Sequence, residues 1–575
     1  MVPFDLSRRL PGPSLLLDAP GVVLEVPVEY ADPSAVQRWR TRVADMRQRL
    51  GWPAAAIVAR LHSTGATLGF EAPPECLLAA TEVNEWAWLG AIEIPEPWPT
   101  PRGPAQAVHD AAAALPLLRH LAVREPPPHF TELLSAAAAL GVPTYWDDTE
   151  FTIGGGRWSR SWPLEALPAA DAVEWDTLRG VPTALVSGSN GKTTTVRLLA
   201  AMCTAHGWHA GYSSTDGVCA DGAALEDGDW AGPAGARVAL RDARVEAAVL
   251  ETARGGILRR GLAVTGARAA VITNIQLDHF GEYGIDDLSA LAAVKMVVTK
   301  GLASDGVLVL NADDPHLVAA AIAWRGETAW FSLDAPSPVI AAACRAGTPC
   351  AVLRADGTLV LSAHGETFVL GQAAQLPLTV GGLAVYNVAN ALGAALAAWA
   401  MGISVATIAE VLARFGAART DNPGRLTQWT VNGATVLLDY AHNPEGIAGL
   451  LSVARALCGP DGRLLVLLGQ AGNRVDDAIR ELARVVAAAR PAAVVLKDMD
   501  GYMRGRAPGE VPAILADELR ACGVPADAIE TELDEVRAAQ RLVGMARSGD
   551  VVVLPVHARA AREQVSAWLD ALAAS

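Results

Sequence analysis

Six consecutive residues, Gly188-Ser189-Asn190-Gly191-Lys192-Thr193, link the apolar stretch 183–186 to a helical pattern at 193–205. Glycines in such a turn let backbone N–H groups close on phosphate oxygens, and the helix N-terminus adds a positive field. Lys192 then reaches the β- and γ-phosphates, and the Thr193 hydroxyl, followed by Thr194, ligates Mg²⁺. The strict eight-residue phosphate loop has glycine where this chain has Val186, so the motif is a shortened one and a plain turn is its structural alternative. Glu251 ends the apolar run 247–250. A carboxylate at a strand end, in a sheet whose first turn holds a triphosphate, is placed to ligate the same Mg²⁺; a helix cap is the alternative. His279, in Asp278-His279 after the run 269–273, reads either as a ligand of a second cation or as a structural histidine. Asp439 ends the run 435–438 and Arg425 precedes it. An acidic residue there can hold ribose hydroxyls and an arginine can meet phosphate across a cleft, unless they are a cap and a surface arginine.

Of the 46 basic residues only four are lysines, at 192, 295, 300 and 497. In a chain whose positive charge is otherwise arginine, a lysine marks a place where a compact ammonium or its neutral amine is required. Lys300 reads as a leftover. Lys295 lies in a helical pattern with Leu288, Leu291 and Ala292, which by itself describes an amphipathic surface lysine.

These groups need a scaffold that brings strand ends together. Runs at 183–186, 247–250, 269–273 and 307–310 alternate with helical patterns, which predicts a parallel sheet covered on both faces. The alternation resumes at 435–438, 463–468, 492–496 and 550–554, with helices at 444–457 and 476–489. This predicts a second, smaller doubly wound unit, with chemistry at the carboxyl ends of the strands. The expected organisation is an α+β unit at 1–178, a central ATP-binding unit at 179–423 and a C-terminal Rossmann-like unit at 424–575. The first carries nine of the sixteen tryptophans and no lysine. It shows strand patterns at 22–28, 56–62 and 67–71 and helical patterns at 34–50, 74–89, 105–121 and 130–140. Substrate binding or oligomerisation is its mild reading, and clustered tryptophans read as core before ligand platform.

Composition narrows the class. The 575 residues are 51% hydrophobic and 19% charged, which is globular. A net charge of −16 without basic runs argues against nucleic acid and anionic membranes. Seven scattered cysteines without a C-x-x-C pair argue against disulfides or a zinc ribbon and for the cytoplasm. No signal peptide is read at the N-terminus. The uncharged stretch 367–409 is broken by Pro377, Gly381, Gly382 and two asparagines, and reads as a buried helix rather than a membrane span.

Taken together, GSNGKTTT at 188–195, Glu251, Asp278-His279, Lys295, NADDP at 311–315, Asn387 within YNVANAL, Gly424-Arg425 and DYAHNP at 439–444 resemble the Mur ligase superfamily. LETARGGILRRGL at 250–262, residues 274–281 and RGRAPGE at 504–510 look most like the Mur-type half of the cyanophycin synthetase branch. The resemblance covers about 180–560. It implies a Mur-ligase-like α/β fold and an ATP-dependent, ADP-forming ligase that joins a carboxylate to an amine, expected to be that of an amino acid. It also implies two Mg²⁺ ions. Carried over by position, Lys192 and Thr193 take the phosphates and first Mg²⁺, Glu251 ligates that Mg²⁺, and His279 lies near the second. Lys295 matches a lysine carbamylated in many relatives, Asn387 an adenine-side asparagine, and Arg425 and Asp439 groups that close the nucleotide pocket. Two departures stand out. Residues 1–178 are too few for a similar N-terminal module plus an ATP-grasp unit and show no such motifs, and the loop 469–474 reads GQAGNR, with Asn473 where relatives often have aspartate. A non-catalytic nucleotide-binding scaffold and a simple ATPase or phosphotransferase remain the rival readings. The carboxylate acceptor or a partner subunit is expected to engage 1–178, and the amino acid to bind near Arg504, Arg506 and 469–474.

Overall fold

The computed structural model describes residues 4, 5, 7–92, 108–277, 280, 282–499 and 501–574. Its centre is an eleven-stranded sheet. The strands Thr183–Ser187 and Ala247–Glu251 are buried along their whole length. Continuous apolar runs of this kind belong to strands covered on both faces, and these two pair in parallel. Parallel pairing extends from Ala210–Ser214 through Ala267–Ile272, Leu302–Asn311 and Glu327–Ser332 to Cys350–Leu353. The expected parallel sheet is thus the middle of a mixed one. Antiparallel strands close both edges, Gly217–Ala220 with Ala223–Asp227 on one side and Thr358–Ala363 with Glu366–Gln372 on the other.

The uncharged stretch supplies the helix Val385–Ala400, which packs on the sheet beside the helix Lys192–Ala205. Its alanines and Gly393 let it approach closely; a Cβ at Gly393 would lie 3.2 Å from the Phe331 ring. Among the described residues no helix is long and apolar enough to cross a membrane.

The C-terminal sheet has six strands in the order Thr427–Val431, Ala434–Asp439, Val551–Pro555, Leu464–Leu468, Ala493–Leu496 and Ile529–Thr531. All but the first pairing are parallel. Every residue of Leu464–Leu468 and Val551–Pro555 is buried, and each large apolar side chain so placed contributes about 2 kcal/mol.

The N-terminal segment folds as two small cores. The antiparallel strands Arg8–Leu10, Gly21–Pro27, Ile57–His62 and Gly65–Glu71 pack on the helices Pro33–Leu50, Leu77–Leu89 and Ala111–Arg124. Trp39, Trp86 and Trp88 are in this core, and Trp39 Nε1 donates to Asn84 Oδ1 at 2.9 Å. The helical pattern expected from 105 begins at Ala111 in the structure, and 105–107 lie outside the described residues. A three-stranded sheet, Thr144–Trp146, Glu150–Ile153 and Arg160–Pro163, forms a second core with the helix Phe130–Ala139.

The first core docks on the central unit. Arg60 donates to the carbonyls of Tyr283 and Gly284 at 2.9 and 2.6 Å. Lys300 is no leftover: Nζ donates to Ser14 O at 2.8 Å and pairs with Asp18 at 2.7 Å, fastening the N-terminal segment.

Candidate active site

The loop after Thr183–Ser187 turns because two glycines take left-handed backbone. Gly188 has φ 135° and Gly191 φ 85°. A Cβ at Gly188 would lie 1.9 Å from Thr273 Oγ1, and one at Gly191 2.1 Å from Asn390 Oδ1. The neighbouring strand end braces the turn: Ser189 N donates to Asn274 O at 3.0 Å and Asn190 N to Asn274 Oδ1 at 2.9 Å. The helix Lys192–Ala205 follows at once, with its N-terminus at the loop. Lys192 Nζ donates to Ser189 O at 2.9 Å, folded back over the loop it serves.

Glu251 is buried, and both of its oxygens are engaged. Thr193 Oγ1 donates to Oε2 at 2.8 Å and Thr215 Oγ1 to Oε1 at 2.8 Å. The two groups assigned to the first Mg²⁺ from the sequence, Thr193 and Glu251, are therefore in contact. Among the described residues no cluster of three or more His, Cys, Asp or Glu side chains forms a metal cage. A hydroxyl and one carboxylate suit Mg²⁺, which commonly completes its shell with phosphate oxygens and water. His279 and Asp278 lie outside the described residues.

Lys295 is not a surface lysine. It is 2% exposed, and Nζ donates to Gly188 O at 2.7 Å. Its helix, Leu288–Met296, turns the lysine inward beneath the phosphate loop.

A narrow cavity of about 180 Å³ is lined by Ser189, Asn190, Gly191, Lys192, Thr193 and Thr194, and across from them by Asn387, Arg425 and Asp439. Every nucleotide residue named from the sequence except Gly188 reaches this cavity. Asn387 is fixed by donating from Nδ2 to Leu378 O at 2.9 Å and accepting from Asn390 Nδ2 at 3.1 Å. Asp439 accepts from the backbone N–H groups of Leu426 and Ala441 at 2.6 and 2.7 Å, so it also shapes the loop that carries Arg425. Burial raises its carboxyl above the usual range, against Arg425 and these backbone donors.

Sequence reasoning missed three features. Asn443 caps the helix Pro444–Leu457 by accepting from Gly446 N at 2.8 Å, and its Nδ2 donates to Asn190 Oδ1 at 2.9 Å. One asparagine thus joins the C-terminal unit to the phosphate loop. Asp216 collects arginines at the same boundary. Lys497, fully buried, pairs with Glu535 and lies 3.1 Å from His557 Nδ1, while His557 Nε2 lies 3.0 Å from Ala441 O. Asn443 stood inside a recognised motif, the rarity of lysine was the signal for Lys497, and nothing in the sequence marked Asp216.

The narrow cavity meets a wider one, of about 1070 Å³, at Lys192, Thr215, Tyr440 and His442. Glu25 and His62 reach the wide cavity from the N-terminal unit, Lys295 from the central unit and Arg504 from the C-terminal unit. Arg506 is committed to structure instead, pairing with Asp476 and Glu510 at 2.7 Å each and donating to the carbonyls of Gly472 and Arg474.

Residues 186–398 match the family model of the Mur ligase middle domain, and 424–555 that of the Mur ligase glutamate ligase domain. The chain is 36% identical over 374 residues to a cyanophycin synthetase of Crocosphaera subtropica, a match that covers 65% of this chain and 42% of that one. It therefore spans less than half the length of that relative. It is 32% identical over 378 residues to the UDP-N-acetylmuramoyl-L-alanyl-D-glutamate--2,6-diaminopimelate ligase of Xanthomonas campestris pv. campestris, covering 64% of this chain and 70% of the ligase. Among solved structures, the folylpolyglutamate synthase of Mycobacterium tuberculosis, complexed with ADP and AMPPCP, superposes with a TM-score of 0.50 at 18% identity, over 67% of this chain and 91% of that one. That last likeness is one of fold. With both family domains in order on one chain, and a relative matched over most of its length, the protein belongs to the Mur ligase family.

Proposed function

We propose that this protein is an ATP-dependent, ADP-forming ligase that joins a substrate carboxylate to the amine of an amino acid. The observation that carries the reading is the junction of the two cavities at Lys192, Thr215, Tyr440 and His442. A nucleotide in the narrow cavity would present its γ-phosphoryl group to a carboxylate in the wide one.

A carboxylate is a poor electrophile, and transfer of a phosphoryl group to its oxygen provides a good leaving group. Lys192 and the N–H groups of the phosphate loop neutralise charge on the transferring group. Mg²⁺ held by Thr193 and Glu251, with a second ion expected near His279, would add Lewis-acid stabilisation of the phosphates. Asn387 takes the adenine side, and Arg425 and Asp439 close the pocket from the C-terminal unit. Attack of the amine on the acyl phosphate then forms the amide and releases phosphate. Closure of the C-terminal unit excludes water, which would otherwise hydrolyse that intermediate. Lys295, buried beside the loop, is assigned a carbamate: a neutral amine adds CO₂ and becomes an anionic oxygen ligand suited to Mg²⁺.

The units at 179–423 and 424–575 form this site in a cytoplasmic enzyme. The segment 1–178 holds the acceptor or a partner subunit. One phosphate loop implies one kind of amide bond per ATP. The test is ADP release by the purified chain across a panel of carboxylates and amino acids. Release that needs both substrates, and is lost in Lys192→Ala, supports the ligase. Release with neither marks an ATPase, and nucleotide binding without turnover marks a scaffold.

A further inference from the structure

Asp216 stands at the tip of the two-residue hairpin between Ala210–Ser214 and Gly217–Ala220. Its carboxylate accepts from Arg197 NH2 at 2.9 Å and Arg425 NH2 at 3.2 Å through one oxygen, and from Arg562 through the other. Its backbone carbonyl accepts from Arg559 NH1 at 3.0 Å. Arg197 belongs to the helix after the phosphate loop. Arg559 and Arg562 belong to the last helix, Arg559–Ala573. The carboxylate and its three guanidinium partners are between 9% and 17% exposed.

Three features lift this cluster above an ordinary ion pair. Three guanidinium groups share one carboxylate, with Glu251 and Asp439 the next acidic groups around Arg425. Arg425 Nε is buried without a hydrogen-bond partner, and Arg425 lines the narrow cavity. Arg425 and Arg562 also lie over the Tyr440 ring, at 4.3 and 4.7 Å from its centroid, and Tyr440 stands at the junction of the two cavities. Burial opposes the charge on Asp216, but the attraction of Arg425, Arg197 and Arg562 outweighs it and holds the carboxyl well below its ordinary range. The preceding residue, Thr215, holds Glu251. One hairpin turn thus fixes the candidate metal carboxylate and, one residue on, the candidate nucleotide arginine.

We propose that Asp216 is a positioning residue that aims Arg425 into the nucleotide pocket and seats the C-terminal unit on the central one through Arg562 and Arg559. The proposal rests on the nucleotide reading of the narrow cavity. It makes nucleotide affinity and domain seating depend on a side chain that need not touch the nucleotide.

The experiment compares the full chain with Asp216→Asn and Arg562→Gln. It measures affinity for the non-hydrolysable analogue AMPPNP with Mg²⁺, the radius of gyration in solution without nucleotide, and the thermal midpoint. Asp216→Asn is expected to weaken analogue binding by about tenfold or more and to enlarge the radius of gyration. Arg562→Gln should act in the same direction, and the double variant should fall short of the sum of the two, because both remove the Asp216–Arg562 pair. A purely structural aspartate would lower the midpoint and leave the affinity of the folded protein unchanged. Wild-type affinity and compactness in Asp216→Asn would overturn the proposal; if that variant does not fold, the same result in Arg562→Gln would do so. A wild-type chain that binds no AMPPNP would instead overturn the nucleotide reading, and an unchanged radius of gyration would still count against Asp216.

Discussion

The buried Lys295 amine donates to the Gly188 carbonyl at the edge of the wide cavity. A neutral amine there can take up CO₂, whereas a guanidinium stays protonated. Lys295→Ala is expected to lose ligase turnover and to regain part of it with added short carboxylic acids, which restore an anionic oxygen. An active Lys295→Arg enzyme would remove the carbamate. Gly191 makes a separate prediction. An alanine there would combine the strained backbone with a Cβ against Asn390, so Gly191→Ala should lower unfolding stability by about 1–2 kcal/mol and weaken nucleotide binding, measured by denaturant titration and by calorimetry. The phosphate loop and Glu251 were legible in the sequence because each sits next to its own strand. Lys295 was half legible: its rarity marked it, while helical spacing alone pointed to the surface. Asp216 was not legible, since Arg425 lies 209 residues away and Arg562 346.

Buried strands announce themselves and edges do not. Leu464–Leu468 is apolar at every position and Thr183–Ser187 at its three central ones, and their extents differ from expectation by a residue. The edge strand Ala223–Asp227 is almost wholly exposed, so nothing in its pattern distinguished it from a loop. Elements can also be tied by buried charge. Lys497 at the end of Ala493–Leu496, Glu535 opening the helix Glu535–Gly544, and His557 after Val551–Pro555 form one network under the 439–443 loop. A compact ammonium suits the site: Lys497 packs against Gly469, where a Cβ would lie 3.0 Å from Cγ. Burial first, then the Lys497 charge, lowers the His557 pKa from 6.5 to about 4. The folded state therefore refuses a proton that the unfolded chain accepts near pH 6.5. This contribution is fully present above that pH and lost as pH falls toward 4, an effect of about 3 kcal/mol. Glu535 acts in the same direction at lower pH: burial raises its carboxyl, but Lys497 and His557 outweigh that and hold it well below the usual range. Urea unfolding at pH 7, 5.5 and 4 should show this fall, and His557→Asn should flatten its upper part. A wild-type stability that does not change between pH 7 and 4 would contradict the network.

At the scale of the molecule, three units surround one cavity, and the N-terminal one presents His62 and Glu25 to it. Burial works against the Glu25 carboxylate, but His62, Arg8 and Thr67 keep its pKa below the usual value. If 1–178 holds the acceptor, His62→Ala should raise the acceptor's KM severalfold, equivalent to about 1 kcal/mol, and leave the KM for ATP unchanged. A raised KM for ATP with an unchanged acceptor KM would place the acceptor elsewhere. The α/β alternation made the central and C-terminal sheets readable. The division of the N-terminal segment into two cores was not, because its short antiparallel strands and helices carry no single repeating pattern. The central claim is that a carboxylate oxygen receives the γ-phosphoryl group before the amine attacks. Acceptor labelled with ¹⁸O in both carboxylate oxygens tests this directly, by mass spectrometry of the products of turnover with ATP and the amine. The account predicts one ¹⁸O in the released phosphate and one retained in the amide; unlabelled phosphate accompanying amide formation would contradict it.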